Sequence, residues 1–288
     1  MALARFRDAS LNPLRLPMDR YVVIGNPVAH SLSPAIHARF AAQTGDKMRY
    51  ETLLVPRGEF ADFARRFFDE GGLGANVTLP FKEDAFGFAD ARSERSQIAG
   101  AANFLMRKDA RVFADNTDGA GLVADLAGNL GVRLRGATIL LVGAGGAARG
   151  VLAPLLGQAP ARLVIANRTP ERARELAQHF LSRGPVEAAA LDRIPDDGFD
   201  LIVNATSTSV RGEPLLLPDR LFAEGTFAYD MAYGPAAKAF LARSRERGMQ
   251  ASDGLGMLVE QAAESYLLWR GRRPQTRDVL AGMREQIA

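Results

Sequence analysis

The 288-residue chain carries 36 Lys/Arg against 33 Asp/Glu, a net charge of only +3. It has no basic run and no interleaving of basic with aromatic residues, which argues against a nucleic-acid binder. It has no cysteine, so disulfides and thiolate metal sites are excluded, and no metal centre is expected. Apolar residues make up 47% and charged residues 24%, the mix of a water-soluble protein with real cores. The length favours two domains, and no apolar run is long enough to span a bilayer.

Residues 1–17, "MALARFRDASLNPLRLP", are Arg-rich and lack the apolar core of a signal peptide. They are expected to form a loosely ordered extension, with Met18 as an alternative start and the cytoplasm as the location. "YVVIG" (21–25) predicts a buried strand stopped by glycine. "SLSPAIHARFAAQTG" predicts a helix with Ser33 at the N-cap, Pro34 in the first turn and Gly45 after the end. "RYETLLV" predicts a strand. In "EFADFARRFF", Phe60, Phe63, Ala64, Phe67 and Phe68 fall on one helical face. "LGANVTL" predicts a third strand, and "AANFLM" with "RVFAD" a hairpin around "RKDA". The alternation of strands and helices implies an α/β layer with a mostly parallel sheet.

From Gly119 the pattern changes to repeated βα units: "ATILLV", a glycine-rich turn, a helix containing Pro154, "RLVIA", a charged helix, "FDLIVN" and "FAYDM". That predicts a doubly wound, Rossmann-type domain over 119–254. The long amphipathic "GLGMLVEQAAESYLLWRG" would pack back on the first domain, which then comprises 18–118 plus 255–288. The fold class expected is therefore α/β, with an N-terminal α/β domain and a Rossmann domain.

"LLVGAGGAARG" sets Gly143, Gly145 and Ala148 in the spacing G-x-G-x-x-A between a strand and a helix, the context a dinucleotide fingerprint needs. The first glycine makes the tight turn and the second lets the backbone approach a pyrophosphate. The small third residue lets helix and strand pack closely. A site for NAD carries an acid about 20 residues on, for the ribose 2′-OH. Here that place reads "IANRTPERAR": Asn167 stands in for the acid, with Arg168 beside it and Arg172 one helical turn away. Two guanidiniums suit a 2′-phosphate, so NADP is the expected cofactor. Arg172 and Arg174 facing only solvent is the plainer alternative.

Hydride transfer also needs a group that moves a proton. The three histidines, His30, His37 and His179, have no nameable partners. Lys82 lies just past the strand that ends in "NVTLP", where α/β ligand crevices open. A lone lysine is more often a solvated charge, and Asp118 in "ADNTDGAGL" could simply cap the helix that follows it. Ser31 and Ser33 sit at another helix start, where an anion is favoured.

The blocks "GNPVAHSLSP", "GANVTLPFK", "AGAANF", "DNTDG", "VGAGGAARG", "NRT", "YDMAYGP" and "DGLGMLVEQAA" occur in that order from about Tyr21 to Trp269. In this the chain resembles the shikimate dehydrogenase family. The resemblance implies reversible NADPH-dependent reduction of 3-dehydroshikimate to shikimate in aromatic amino-acid biosynthesis. It implies Ser31 and Ser33 as holders of the substrate carboxylate and Lys82 as general acid/base. Asp118 would pair with Lys82 and hold a hydroxyl, with Thr78, Asn103, Tyr233 and Gln261 completing the substrate-facing set. For the cofactor it implies Gly143, Ala144, Gly145, Gly146, Ala147, Asn167, Arg168, Thr169 and Arg172, with Met231 and Gly254 near the nicotinamide. Phe104 stands where the family usually has threonine, and is expected to turn away from the substrate and pack in the core. The alternatives are an NAD-linked quinate/shikimate dehydrogenase and a non-catalytic NADP-binding regulator on the same scaffold. The expected partners are a small-molecule substrate and, at most, a second copy of the chain.

Overall fold

A computed structural model describes residues 18–287, so the expectation for residues 1–17 lies outside the described residues. The first half folds as β1 (Asp19–Gly25), α1 (Ser33–Thr44), β2 (Met48–Leu54), α2 (Phe60–Asp69), β3 (Gly72–Val77), α3 (Lys82–Phe88), β4 (Ala91–Arg92), α4 (Glu94–Ala99), β5 (Phe104–Lys108) and β6 (Arg111–Asp115). The strands form one sheet in the order β2-β1-β3-β5-β6-β4. β1 pairs in parallel with β2 and β3, while the expected hairpin of β5 and β6 adds antiparallel pairings.

The apolar stripe of α2 covers one face of this sheet. Phe60, Ala64, Phe67 and Phe68 are buried against Val22, Ile24, Val77 and Leu105, with Phe63 partly buried beside them. The alternate residues Tyr21 and Val23 face the other way, toward Tyr50 and Trp269. This two-residue period is what a strand buried on both sides requires. Gly45 closes α1 in the left-handed conformation at φ 73°, where glycine costs least.

The second half runs through α5 (Asp118–Val123), a π-helical turn at Ala124–Asn129, β7 (Thr138–Val142), α6 (Gly146–Leu156), β8 (Arg162–Asn167), α7 (Pro170–Phe180), β9 (Val186–Ala190), β10 (Leu201–Asn204), β11 (Phe227–Asp230), α8 (Lys238–Glu246), β12 (Gln250–Asp253), α9 (Leu255–Arg270) and α10 (Arg277–Ile287). Its sheet has the order β12-β11-β10-β7-β8-β9, with every pairing parallel. In β7, Ile139 and Leu141 enter the core under α6 and α7, while Leu140 and Val142 enter the core on the opposite face. That is the doubly wound arrangement read from the sequence. α9 packs against α1 and α5, so the chain from Leu255 onward returns to the first sheet. Among the described residues, no helix is long and apolar enough to cross a membrane.

Two expected caps are corrected. Ser33 is not an N-cap: the cap position is Leu32, without a side-chain cap bond. The Ser31 hydroxyl accepts the Ser33 N–H at 3.3 Å, so a serine two residues upstream closes the turn and the helix starts one residue early. Asp118 is likewise the first residue of α5, with Thr117 at the cap. The Asn116 side-chain oxygen accepts the Asp118 N–H at 3.1 Å. In both places a neighbour takes the capping work, and the Ser33 hydroxyl and Asp118 carboxylate are left for other partners.

Candidate active site

Lys82 opens α3 immediately beyond the loop that leaves β3, and Asp118 opens α5 immediately beyond β6. The two helix starts converge. Lys82 Nζ donates to Asp118 Oδ2 at 2.5 Å, with side-chain exposures of 14% and 7%. The other carboxylate oxygen, Oδ1, accepts from Asn103 Nδ2 at 2.8 Å. Asn103 sits just before β5. Its Oδ1 accepts the Thr117 N–H at 2.7 Å, which fixes the amide so that its N–H groups face Asp118, Thr117 Oγ1 and Gln261 Oε1. The result is an ammonium, a carboxylate and two amides in one half-enclosed corner.

A second layer of polar side chains holds this corner. Asn76, on β3, donates to the Asn103 carbonyl at 3.2 Å and to Ser265 Oγ at 2.9 Å, and accepts from the Tyr50 hydroxyl at 2.8 Å. Ser265 Oγ lies 3.2 Å from Thr117 Oγ1. Burial holds the Tyr50 phenol well above its ordinary range, so it remains a donor. Asn76 and Thr117 were missed as site-building residues. Their signal was present: an amide inside the apolar run "GANVT" must find partners when buried, as must a threonine between Asn116 and Asp118.

Of the remaining residues expected to face a substrate, Gln261 joins this corner directly: it is buried on α9 and reaches Asn103 and Thr117. Thr78 follows β3 and its N–H bonds the Ile24 carbonyl at 2.9 Å. Ser31 is half-buried and Ser33 buried at the start of α1. Tyr233 comes from the other half of the chain and packs with Leu32, between the two serines. Burial raises its phenol above the ordinary range, and the Leu32 backbone offsets part of this.

The glycine turn after β7 opens α6, which packs against α5, and a Cβ at Gly150 of α6 would lie 3.3 Å from Asp118 Oδ2. Gly143 has φ 118°, and a Cβ there would come 3.0 Å from the Ala205 carbonyl oxygen, so this backbone turn requires glycine. A Cβ at Gly145 or Gly146 would instead meet nothing within 4 Å, leaving open space above the α6 amides. An anion fits that cradle. Ala144 is buried and Ala147 half-buried beside it. At the end of β8, Asn167 Nδ2 bonds the Thr169 carbonyl at 2.9 Å, and Arg168, Thr169 and Arg172 are exposed. Arg174 pairs with Glu171 at 3.2 Å. Met231 follows β11, and a Cβ at Gly254 would strike its carbonyl oxygen, so those two positions are in contact. The open glycine cradle and the pair of exposed guanidiniums fit a dinucleotide carrying an extra phosphate.

The comparisons with known proteins follow this geometry. Residues 23–105 match the shikimate dehydrogenase substrate binding domain, 125–214 match shikimate / quinate 5-dehydrogenase, and 254–286 match the shikimate 5'-dehydrogenase C-terminal domain. A protein of Hahella chejuensis named shikimate dehydrogenase (NADP(+)) is 51% identical over 269 residues, covering 93% of this chain and 99% of that protein. The chain belongs to the shikimate dehydrogenase family. A relative of the same name from Acidovorax sp. strain JS42 is 52% identical over 94% of this chain and 97% of its own length. Among solved structures, a shikimate 5-dehydrogenase of Thermus thermophilus in complex with NADP(H) and shikimate is 34% identical, with a TM-score of 0.83. It covers 93% of this chain and 99% of its own. An Ael1 enzyme from Pseudomonas putida is 44% identical with a TM-score of 0.86, over 92% of this chain and 97% of its own. Family membership makes the chain an oxidoreductase, and the curated relatives carry NADP(+) in their names.

Phe104, the departure from the family pattern, is fully buried and stacks on Trp269 with ring centroids 5.1 Å apart. It faces α9 two turns beyond Gln261, under the helix and away from Lys82. Phe104→Thr is therefore expected to lower stability by about 2–4 kcal/mol, as other large-to-small core changes do, and to leave KM for the ring acid unchanged. Thermal denaturation beside steady-state kinetics checks this, and a large KM change would place the ring at the substrate.

The histidines lie elsewhere. His30 is exposed, and His179 Nε2 lies 3.1 Å from the Ile98 carbonyl. His37 is fully buried on α1, stacked on Tyr50 at 4.1 Å, with both ring nitrogens unpartnered. Burial pushes its pKa from 6.5 down to about 3, with nearby Asn76 offsetting only part. Its folded pKa is depressed, so below about 6.5 the unfolded chain binds a proton that the native state refuses. Stability is then lost as pH falls from about 6.5 toward about 3. Between pH 7 and pH 5 the stability of His37→Phe relative to the parent should rise by about 2 kcal/mol. Urea unfolding at the two pH values reads this difference, and a constant difference would refute it.

Proposed function

We propose that this chain catalyses the reversible reduction of 3-dehydroshikimate to shikimate, with Lys82 as the group that moves the proton. The observation carrying this reading is the buried Lys82–Asp118 pair, with Asn103 on the second carboxylate oxygen, packed against the helix that the glycine turn opens. NADPH, when bound, supplies the hydride. Gly143 to Ala147 would hold its pyrophosphate, while Asn167, Arg168, Thr169 and Arg172 would hold the phosphorylated adenosine. Met231 and Gly254 would flank the nicotinamide. Ser31 and Ser33 bind the substrate carboxylate at the start of α1, where the helix dipole favours an anion. Asn103, Asp118, Thr78, Gln261 and Tyr233 orient the ring by its hydroxyls. The Lys82 ammonium lies beside the ring oxygen, stabilises the charge that grows there and donates its proton to it. In the oxidative direction the same nitrogen takes the proton back. Asp118 holds Lys82 in place and prevents the ammonium from swinging into solvent.

This reading divides the chain into a substrate domain (18–118 with 255–288) and a cofactor domain (119–254), with the chemistry in the cleft between them. The NAD-linked quinate/shikimate reading would favour an acid at the end of β8, where this chain has Asn167 and Arg168. A regulator without catalysis would have no use for a buried lysine–carboxylate pair. Formation of reduced nucleotide is measured from shikimate and from quinate, each with NADP and NAD. Shikimate with NADP is expected to give by far the highest kcat/KM. Quinate or NAD in first place would transfer the chain to the alternative reading, and nucleotide binding without turnover on either acid would leave the regulator.

A further inference from the structure

Arg149 is the fourth residue of α6, three beyond Gly146 and four beyond the turn residue Gly145. Residues three and four apart share a helix face, and helical side chains lean toward the N-terminus. Arg149 therefore shares a helix face with Gly145 and Gly146, and its side chain leaves the space over both glycines open. One turn is about 5.4 Å, within reach of an arginine side chain. Its Nε is buried and has no hydrogen-bond partner. A Cβ at Gly100 would lie 3.8 Å from its Nη1, so the guanidinium stands against the turn that closes α4, on the first-half side of the cleft. The carboxylates in this region are committed elsewhere: Asp118 to Lys82 and Asn103, and Asp115 and Glu264 to Arg95. A positive fork with a buried donor that has no partner, one helical turn from the glycine turn, calls for an anionic partner.

We propose that Arg149 is a further cofactor-binding residue, gripping the pyrophosphate of the dinucleotide from the side opposite the glycine-turn amides. The inference rests on the nicotinamide-nucleotide reading of that turn. It assigns Arg149 a different phosphate from Arg168 and Arg172. The pyrophosphate is common to NADP and NAD, whereas the 2′-phosphate belongs to NADP alone.

The test is equilibrium binding of NADP and of NAD, by calorimetry without substrate, to the parent chain, Arg149→Gln, Arg149→Lys and Arg168→Gln. Removing a charge-assisted bond of this kind should weaken binding about tenfold. Arg149→Gln is expected to raise Kd by the same factor for both nucleotides, and Arg149→Lys to recover part of that loss. Arg168→Gln should weaken NADP alone. Circular dichroism and melting temperature check that each variant is folded. Should Arg149→Gln misfold, Arg149→Lys carries the test, because an ammonium keeps the charge but not the two-pronged contact. Unchanged Kd values would overturn the proposal, as would a loss confined to NADP or a change only in KM for the ring acid, which would make Arg149 a contact between the two halves. If the parent chain binds neither nucleotide, the cofactor reading itself falls and Arg149 with it.

Discussion

Lys82→Ala should lower kcat by about two to four orders of magnitude, the range typical of a positioned acid/base, while KM for the ring acid changes little. The reasoning starts from the ion pair. Lys82 and Asp118 meet at 2.5 Å with little exposure on either side, so the ammonium is held at one point. In the proposed reaction, serine and amide contacts hold the substrate in the ground state, and they survive the substitution. What disappears is the proton donor and the positive charge at the oxygen where charge develops, an interaction that grows toward the transition state. The same substitution leaves Asp118 buried, with only the amide of Asn103 facing it. Breaking a buried pair from one side costs about 3–5 kcal/mol, so a fall in stability could be mistaken for a fall in catalysis. The double variant Lys82→Ala/Asp118→Asn separates the two. It removes the orphan charge and should regain much of the lost stability, yet its kcat should remain as low as that of the single variant. Recovery of turnover along with stability would show that Lys82 is structural, and near-parental turnover in the single variant would remove it from the proton transfer.

The parts of the fold that showed clearly in the sequence are those in which one local signal suffices. The phenylalanine stripe of α2, the apolar runs of β1, β7 and β8, and the glycines after β7 each satisfy a single period or turn rule. The elements without an advance signal are edge or polar pieces. β9 reads "VEAAA" and β12 reads "QASD". Neither has an apolar alternation, because each is an outer strand of its sheet and takes its shape from the neighbour it pairs with. The site divides in the same way. Lys82, Asp118 and the serines stand at helix starts, which short sequence patterns mark. The shell that orients them is non-local: Tyr50, Asn76, Thr117 and Ser265 come from β2, β3, the loop after β6 and α9, and the Ser265 bonds to Asn76 and Thr117 exist only once α9 has returned to the first sheet. The misplaced caps have a local cause. Ser33 and Asp118 have the right residue types for an N-cap, but Ser31 and Asn116, two residues upstream, compete for the helix start by accepting the Ser33 and Asp118 N–H groups, and each helix begins one residue early. A propensity read one residue at a time does not register that competition. It is also what frees the two side chains for chemistry.

Replacing both Arg168 and Arg172 with alanine should raise KM for NADP by about a hundredfold and leave KM for NAD nearly unchanged. Each guanidinium offers charge-assisted hydrogen bonds, and such a bond contributes about 1.5–3 kcal/mol, or about tenfold for every 1.4 kcal/mol. Two of them acting on one phosphate account for the factor. Three features of this chain localise the effect. Both side chains are exposed at the end of β8 and the first turn of α7, so their loss leaves the core intact and the melting temperature should hold. Arg174, the next arginine on the helix, pairs with Glu171 at 3.2 Å and so is the poorer donor to an incoming phosphate. Asn167 turns its amide onto the Thr169 carbonyl, which fixes the loop without presenting a carboxylate that would repel the phosphate or hold the 2′-OH of NAD. For that reason the double variant should lose NADP without gaining NAD, and a true exchange of cofactor should need Asn167→Asp as well. Exposed charges are screened by salt over about 10 Å at 0.1 M, so the discrimination in the parent chain should shrink as ionic strength rises while that of the double variant stays flat. Equal losses for NADP and NAD would move both arginines off the 2′-phosphate, and unchanged NADP kinetics would leave them as solvent-facing charges on α7.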